Sequence, residues 1–322
     1  MNFYILCLLG FIISLALLLI LMPIFIKTLN AYNISQTVSE YSLEEYKQKA
    51  KTPIMGGLLF VVLPIIAYAI INFKGLASPR VLFILLSYLC FCAVGFVDDF
   101  LIIIKKNNDG ISPRTKLIAE FIIMVVLYLI FKDEIATYIH IPFTSINLDL
   151  GFVYVPFMIL LFLAEANAVN FTDGMDGLCA GVSFIGLAIM LIILCKFNEY
   201  NIAIFVTCVL GGLLGYLRFN YHPAKIFMGD SGSLALGGLI TAIAVICKLE
   251  IALFFIGGIF VIEMFCVCLQ LSCVKLFHKR IFTYTPIHYA FVIKGYKEKQ
   301  IVPCFYVVGL ILGLIGLLLG LH

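Results

Sequence analysis

Long apolar runs alternate with short polar segments along the whole of this 322-residue chain. An apolar run of about 17 to 25 residues is long enough to cross the hydrocarbon core of a bilayer as a helix. The pattern predicts ten such helices, at residues 3–26, 53–73, 81–100, 116–132, 151–168, 178–196, 201–219, 232–248, 250–274 and 301–321. We therefore expect an all-α integral membrane protein that forms a single polytopic domain over residues 1–322.

The composition agrees with this fold class. The chain is 63% hydrophobic and only 12% charged, whereas about a quarter of the residues of a soluble domain are charged. The first run lacks the positive start of a cleaved signal peptide, so we interpret it as the first membrane helix. The eleven cysteines form no CxxC pair, and neither a disulfide framework nor a zinc site is suggested. The formal charge of +3 is divided among loops and indicates no nucleic-acid partner.

Lysine and arginine orient the predicted helices, because cytoplasmic loops carry an excess of them. With the N-terminus outside, 16 of the 21 basic residues fall in cytoplasmic segments and 5 in outer segments. The sequence therefore predicts a multi-pass protein of the cell membrane with both termini outside.

Five aspartates lie at the cytoplasmic ends of these predicted helices. Asp98 and Asp99 end the third helix in GFVDDF, and Asp230 precedes the eighth in FMGDSGS. Asp173 and Asp176 follow the fifth helix in NFTDGMDG. An aspartate at a helix centre would cost about 2.5 to 3.5 kcal/mol, and this cost is mostly avoided at the interface. The five carboxylates can therefore gather around a wet cleft on the cytoplasmic face.

Each aspartate alone could be an ordinary helix cap or turn residue, because Asp before Gly is a common turn signal. As a group they would repel one another, so a divalent metal or the nearby Lys49 and Lys116 must compensate their charge. Glycines such as Gly174 and Gly177 let a phosphate approach backbone N–H groups. Carboxylates, lysines and helix N-termini together suit Mg²⁺-bridged phosphoryl transfer.

Six segments, in this order, are similar to the motifs of the MraY family. They are TPIMGG, GFVDDF followed by GISPRTK, NAVNFTDGMDGL, NYHPAKIFMGDSGSLALGG, FVIEMF with LQ, and RIFTYTPIHYAF. MraY enzymes are phospho-MurNAc-pentapeptide transferases of the polyprenyl-phosphate N-acetylhexosamine-1-phosphate transferase superfamily. The resemblance runs from about Gln36 to the last predicted helix.

The resemblance implies a membrane enzyme of ten helices that uses Mg²⁺. It would transfer phospho-MurNAc-pentapeptide from UDP-MurNAc-pentapeptide to undecaprenyl phosphate, giving lipid I and UMP. A homodimer is compatible with the resemblance. Its active site would face the cytoplasm, as the charge bias also predicts.

Site residues follow from the resemblance motif by motif. Asp98 and Asp99 match the paired catalytic aspartates, Asp230 the Mg²⁺-binding aspartate, and Lys116 the essential lysine. Among the others, Asp176 matches a uracil contact, Phe227 the aromatic that stacks on uracil, and Lys49 a nucleoside-contacting lysine. The implied substrate-binding set is Lys49, Asn170, Asp173, Asp176, Asn220, Phe227 and His288.

Three segments depart from the family pattern. Tyr289 and Ala290 replace the second and third histidines of the histidine motif, and Ile54 replaces a hydroxyl residue in TPIMGG. The first inner loop lacks the usual Arg, Gly-Pro and His. These differences concern the donor, so two alternatives stay open: an MraY-like paralogue that uses another UDP-sugar, and a WecA- or TagO-like transferase for UDP-GlcNAc.

Two further alternatives concern mechanism and class. A covalent aspartyl-phosphate intermediate is the rival of direct attack by the lipid phosphate. A membrane transporter would be expected to place its ionisable groups near the midplane and to show an internal repeat, which this sequence does not show clearly.

Overall fold

The computed structural model describes residues 2–32, 34, 52–105 and 110–322. The predicted site residue Lys49, with most of the first inner loop, lies outside the described residues. Within these ranges the α-helices are α1 (Phe3–Ala31), α2 (Gly57–Ile71), α3 (Pro79–Lys105), α4 (Pro113–Phe131), α5 (Tyr154–Thr172), α6 (Leu178–Lys196), α7 (Tyr200–Asn220), α8 (Asp230–Cys247), α9 (Glu250–Ile256), α10 (Gly258–Phe277), α11 (Ile287–Ile293) and α12 (Glu298–Gly320). Short 3-10 helices cover Phe73–Ala77, Lys132–Glu134 and Gly151–Val153, and a hairpin pairs β1 (Tyr138–His140) with β2 (Asn147–Asp149).

The expectation of an all-α membrane protein is confirmed. In the described part of the chain, eight helices are long and apolar enough to cross a membrane, namely α1, α3, α5 with the 3-10 turn before it, α6, α7, α8, α10 and α12. The two remaining predicted spans correspond to α2, which has 15 residues, and α4. Helix α4 carries Arg114, Lys116 and Glu120 near its start. The count of ten therefore stays a prediction.

The predicted helix at 250–274 is wrong in one respect, because the chain breaks there into α9 and α10. Helix α9 ends at Ile256, and α10 begins at Gly258. Gly257 lies at the break, where a Cβ would stand 2.7 Å from the buried Oε1 of Glu165. Hydropathy alone does not register this break, since the residues on both sides of Gly257 are apolar.

Helix α8 forms the centre of the bundle, and its residues from Ser231 to Ile246 are buried. Small residues let its neighbours approach closely, as is common between membrane helices. A Cβ on Gly95 of α3 would collide with the backbone of Asp230, and one on Gly237 would collide with Ala166 of α5. The end of α3, the end of α5 and the start of α8 are thereby brought together.

A second polar cluster lies at the other end of α8, about 27 Å away for an 18-residue helix. The Lys248 ammonium donates to the carbonyl of Ala136 (3.0 Å) and to the Tyr154 hydroxyl (2.7 Å), and it pairs with Glu250 (2.7 Å). These bonds fasten the hairpin to the bundle. The Asp230 end of α8 is thus separated from the hairpin by the length of the helix.

Candidate active site

Asp230, the first residue of α8, joins three other helices. Its Oδ2 accepts a short hydrogen bond from Lys116 of α4, and its Oδ1 accepts one of 2.8 Å from the Asn170 amide of α5. The Lys116 ammonium also lies 3.5 Å from Oδ1 of Asp98, on α3. Four helices therefore place two carboxylates, an ammonium and an amide around one point.

Local sequence explains the position of Lys116. Ser112 caps α4 by accepting from the Thr115 N–H (3.2 Å), and Pro113 occupies the first turn, where no N–H is needed. Helix α4 therefore begins within a turn of Lys116, and its start presents the lysine to Asp98 and Asp230.

Asp98 lies beneath the segment that precedes α4. It is 5% exposed, and its Oδ1 accepts from the Ile111 N–H at 2.7 Å. A Cβ on Gly110 would stand 2.6 Å from the same oxygen, so glycine allows this close approach. The Lys116 ammonium lies 3.5 Å from this carboxylate as well, so Asp98 is paired with a cationic side chain.

Asp99 binds the backbone instead. Its Oδ1 accepts from the N–H of Asp230 and its Oδ2 from the N–H of Ser231, both at 3.0 Å. A carboxylate in this position caps α8 and interacts favourably with the positive end of the helix dipole. Gly229 makes the arrangement possible with φ +75, and a Cβ there would stand 2.5 Å from Oδ2 of Asp99. Asp99 therefore caps the start of α8 in this structure.

The NFTDGMDG loop supplies the next side chains. Asn170 donates to Ser233 (2.9 Å) in addition to Asp230, which ties the end of α5 to the first turn of α8. Asp173 follows the last residue of α5. Burial, followed by the nearby carboxylates of Asp230 and Asp99, raises the pKa of Asp173 to about 8. A bound cation would favour the charged form of this group.

Asp176 is almost fully buried beside the loop that follows α7. Its Oδ2 accepts from the Ala224 N–H (3.0 Å) and lies 3.0 Å from Nδ1 of His222. Asn220, the last residue of α7, accepts from the Gly177 N–H (3.0 Å) and donates to the carbonyl of Ile226 (3.0 Å). Asn220 thus fixes the NFTDGMDG loop against the segment that leads to Asp230.

Phe227 is held by the TPIMGG segment. Its N–H donates to the carbonyl of Pro53, and its carbonyl accepts from the Gly56 N–H, both at 2.8 Å. Met55 between them has φ 75, a left-handed conformation unusual for a residue with a side chain. TPIMGG therefore supports the strip around Phe227 through its backbone.

His288 is fully buried and paired with Glu263, the carboxylate inside α10. Its Nδ1 lies 3.0 Å from Oε1 of Glu263, whose Oε2 accepts from the Ile287 N–H at 2.7 Å. A Cβ on Gly174 would collide with Nε2 of His288, and the Tyr289 hydroxyl donates to the Gly174 carbonyl at 3.1 Å. The histidine motif therefore contacts the NFTDGMDG loop.

Several residues contact the site although no sequence motif indicates these contacts. His222 lies within NYHPAKIFMGD, but nothing in that motif indicated its 3.0 Å contact with Asp176. Glu298 and the Tyr306 hydroxyl, which donates to the Gly177 carbonyl at 2.6 Å, come from α12 and belong to no quoted motif. Only the fold brings α12 to the NFTDGMDG loop.

The donor set around Asp230 fits a hard divalent cation. Carboxylate oxygens such as those of Asp98 and Asp230 are ligands that Mg²⁺ takes. The Lys116 ammonium already bridges Asp98 and Asp230, which shows that this point attracts positive charge. Asp99, bonded to the backbone through both oxygens, is less suited to be a ligand.

Comparison with known proteins places this site in a family. The chain belongs to glycosyl transferase family 4, whose model matches residues 81–248, a segment that contains Asp98, Lys116, Asn170 and Asp230.

More specifically, the chain is 40% identical over 324 residues to the phospho-N-acetylmuramoyl-pentapeptide-transferase of Staphylococcus carnosus (strain TM300), with 99% of both chains covered. The enzymes of the same name from Staphylococcus aureus (strain bovine RF122 / ET3-1) and Halalkalibacterium halodurans are also 40% identical, over 315 and 314 residues. These alignments cover 96% and 97% of this chain and 98% and 97% of the relatives. The resemblance to the MraY family is confirmed.

Proposed function

We propose that the chain transfers phospho-MurNAc-pentapeptide from UDP-MurNAc-pentapeptide to undecaprenyl phosphate, giving lipid I and UMP for peptidoglycan synthesis. The observation that carries the proposal is the junction at Asp230, where Lys116, Asn170 and Asp98 meet. An anionic donor needs a positively charged group and carboxylates that can bind a metal ion, and this junction provides both. The relatives that match nearly the whole chain are named for this activity.

Lys116 is proposed to hold phosphate charge. Its ammonium lies between Asp98 and Asp230 with little exposure, so it is positioned before a substrate arrives. When a diphosphate enters, the ammonium can exchange one carboxylate partner for a phosphate oxygen. When bound at Asp98 and Asp230, Mg²⁺ would neutralise the charge of the donor diphosphate.

The acceptor needs little help with deprotonation. The second pKa of a phosphate monoester is about 6, so most of the lipid phosphate is a dianion at neutral pH. Its oxygen attacks the phosphorus that carries the sugar, and the bond to UMP breaks. Asp98 and Lys116 therefore contribute mainly by positioning the two anionic substrates.

The covalent route would need an aspartate as nucleophile. The binding of both Asp99 oxygens to the N-terminus of α8 disfavours Asp99 in this role. Incubation of the protein with donor alone separates the routes. Direct transfer predicts no UMP release without undecaprenyl phosphate, whereas an aspartyl-phosphate enzyme would release one UMP per chain.

The nucleoside of the donor is proposed to bind beside Asp176. Asp176, Asn220 and Phe227 are held by neighbouring backbone groups, and these fixed positions support the proposal. Lys49 is proposed to reach the same nucleoside. Asp173 and His288 are proposed to contact the donor from the NFTDGMDG loop and the segment behind it.

Another UDP-sugar, such as UDP-GlcNAc, is the second candidate donor. Tyr289 and Ala290 keep this alternative open, because they stand where the family's motif carries its second and third histidines, and the Tyr289 hydroxyl donates to the Gly174 carbonyl. Purified protein with Mg²⁺ and undecaprenyl phosphate should release UMP from UDP-MurNAc-pentapeptide and not from UDP-GlcNAc. Turnover with UDP-GlcNAc alone would contradict the proposal.

The active site is proposed to face the cytoplasm of a ten-helix protein of the cell membrane, with α2 and α4 as the two further spans. The excess of basic residues in the segments on the Asp230 side supports this orientation. Charged residues at the start of α4 lie beside the aspartates, where they avoid the cost of the membrane centre.

A further inference from the structure

Three side chains from separate segments converge at the edge of the candidate site. Asp176 belongs to the loop after α5, His222 to the loop after α7, and Glu298 to the start of α12. Nδ1 of His222 lies 3.0 Å from Oδ2 of Asp176 and 3.4 Å from Oε2 of Glu298. One ligand-type atom from each of the three residues lies within 4.8 Å of the other two.

The two separations measured from Nδ1 of His222 match those of ligands around one metal ion. Tetrahedral zinc bonds of about 2.0 to 2.1 Å to nitrogen and oxygen place neighbouring ligand atoms about 3.3 Å apart. The two distances from Nδ1 of His222 lie on either side of this value. A metal ion can therefore bind between these three ligand atoms after small side-chain movements.

The types of ligand atom in the cluster indicate which metal ions it would bind. One imidazole nitrogen with two carboxylate oxygens suits Zn²⁺, Co²⁺ or Mn²⁺, whereas Mg²⁺ takes oxygen ligands. The donor set at Asp98 and Asp230 has no nitrogen ligand of this kind, so the two places differ chemically.

The burial of the cluster fits a metal site with an entrance. The side chain of Asp176 is 2% exposed and that of Glu298 is 10% exposed, while His222 is 32% exposed. The Ala224 N–H donates to Asp176 (3.0 Å) and orients its carboxylate, as outer partners orient metal ligands. His222 forms the side of the cluster open to solvent.

We propose that Asp176, His222 and Glu298 bind a transition-metal ion of the Zn²⁺ type, separate from the Mg²⁺ site proposed at Asp230. The sequence did not suggest this site, because its ligands are 46 and 76 residues apart along the chain. One consequence rests on the proposed function: the ion takes up Asp176, the proposed uracil contact, and therefore competes with the nucleotide donor.

The test uses the full chain in lipid nanodiscs with Mg²⁺ in excess, so that sites made only of oxygen ligands are filled. Accessible thiols are alkylated first, since the exposed Cys268 and Cys304 would also bind zinc. Zn²⁺ is titrated by calorimetry, and Co²⁺ by its visible absorption, which distinguishes nitrogen and oxygen ligands from thiolates.

We expect one Zn²⁺ per chain. His222→Ala should lower the affinity at least about 100-fold, since even outer partners of a metal change affinity about 10- to 100-fold. Glu298→Gln, which conserves shape, should weaken binding in the same direction. His140→Ala, on the exposed hairpin, is the matched control and should bind as the unaltered protein does.

The absence of tight Zn²⁺ and Co²⁺ binding, or equal affinity in His222→Ala and the control, would overturn the proposal and leave an imidazole hydrogen-bonded between two carboxylates. Zinc binding that depends on His222 in a protein without transferase activity would support the metal site and refute the proposed function. Transferase activity in a protein that does not bind zinc would refute the metal site and support the proposed function.

Discussion

Asp98 and Asp99 are adjacent in the sequence, and their side chains bind different parts of the protein. Asp99 accepts two backbone N–H groups at the start of α8, whereas Asp98 meets the Lys116 ammonium and the Ile111 N–H. The first arrangement stabilises a helix, and the second is open to exchange with an anionic substrate. We propose that Asp98 takes part in the chemistry of the site and that Asp99 mainly holds the start of α8.

The different contacts of Asp98 and Asp99 predict that one substitution lowers stability and the other lowers activity. Asp99→Ala should lower the free energy of unfolding by about 0.5 to 2 kcal/mol, the cost of losing a helix cap. Asp98→Ala should abolish UMP release and leave the unfolding temperature in detergent nearly unchanged. Equal thermal destabilisation by both substitutions would show that the two aspartates share one structural role.

Glu120 is a second residue whose contacts are seen only in the structure. It is fully buried one turn after Lys116, and one of its oxygens accepts from the Asn167 amide at 2.9 Å. Asn167 also donates to the carbonyl of Leu163, so the contact fastens α4 to α5. This link holds the segment that carries Lys116.

We expect Glu120→Gln to retain folding, since an amide oxygen can still accept from Asn167. Glu120→Ala should be destabilising by about 1 to 3 kcal/mol, because the half-buried Asn167 amide loses a partner. Thermal unfolding in detergent measures the difference. The exposed Asp133→Asn is the control, and an equal loss in both Glu120 variants would contradict the assigned contact.

At the scale of elements, close helix contacts hold the site together. Gly95 of α3 lies against the backbone of Asp230, and Gly237 of α8 lies against Ala166 of α5. Glu263 of α10 accepts the first N–H groups of α11 and thereby fixes His288. Each contact joins two helices at the Asp230 end of the bundle or just behind it.

Gly95→Ala should separate α3 from α8, because the new Cβ has no room beside the Asp230 backbone. We expect a lower unfolding temperature and at least about tenfold slower UMP release, since small displacements of catalytic groups are costly. Phe96→Leu, on the exposed side of the same helix, is the control. Normal activity of Gly95→Ala would contradict the close contact.

Hydropathy could predict most helices, because membrane helices are selected by length and apolarity. It could not predict the break at Gly257, where both flanking segments are apolar. The aspartates at helix ends could be predicted to share a cleft from the spans alone. The contacts of Glu298, His222 and Tyr306 could not, since they depend on how α12 packs against distant loops.

At the scale of the whole molecule, the two ends of the bundle differ in chemistry. The Asp230 end carries carboxylates, Lys116 and the polar loops, and the other end carries the β1–β2 hairpin with the Lys248 cluster. The hairpin and the C-terminal residue are linked, because Nε2 of His140 lies 2.9 Å from the His322 carbonyl oxygen. The C-terminus therefore lies at the end opposite the proposed active site.

This difference between the two ends of the bundle predicts on which side of the membrane an inserted tag will be accessible. A C-terminal tag after His322 should be accessible to an impermeant protease or antibody in cells with only the cytoplasmic membrane intact. A tag inserted next to Gly110, near Asp98, should become accessible only after that membrane is permeabilised. Protection of the C-terminal tag together with exposure of the Gly110 tag would reverse the proposed orientation.

The junction at Asp230 is proposed to transfer a phospho-sugar to a lipid phosphate. The most direct measurement is UMP release by purified protein supplied with Mg²⁺, undecaprenyl phosphate and UDP-MurNAc-pentapeptide. We expect release that requires the lipid and ceases on chelation of Mg²⁺. Asp230→Asn and Lys116→Met should each lower the rate by at least about 100-fold, as loss of a group that stabilises transferred charge does, while Asp133→Asn keeps it. UMP release at the same rate in Asp230→Asn, or none from any UDP-sugar with folded protein, would contradict the account.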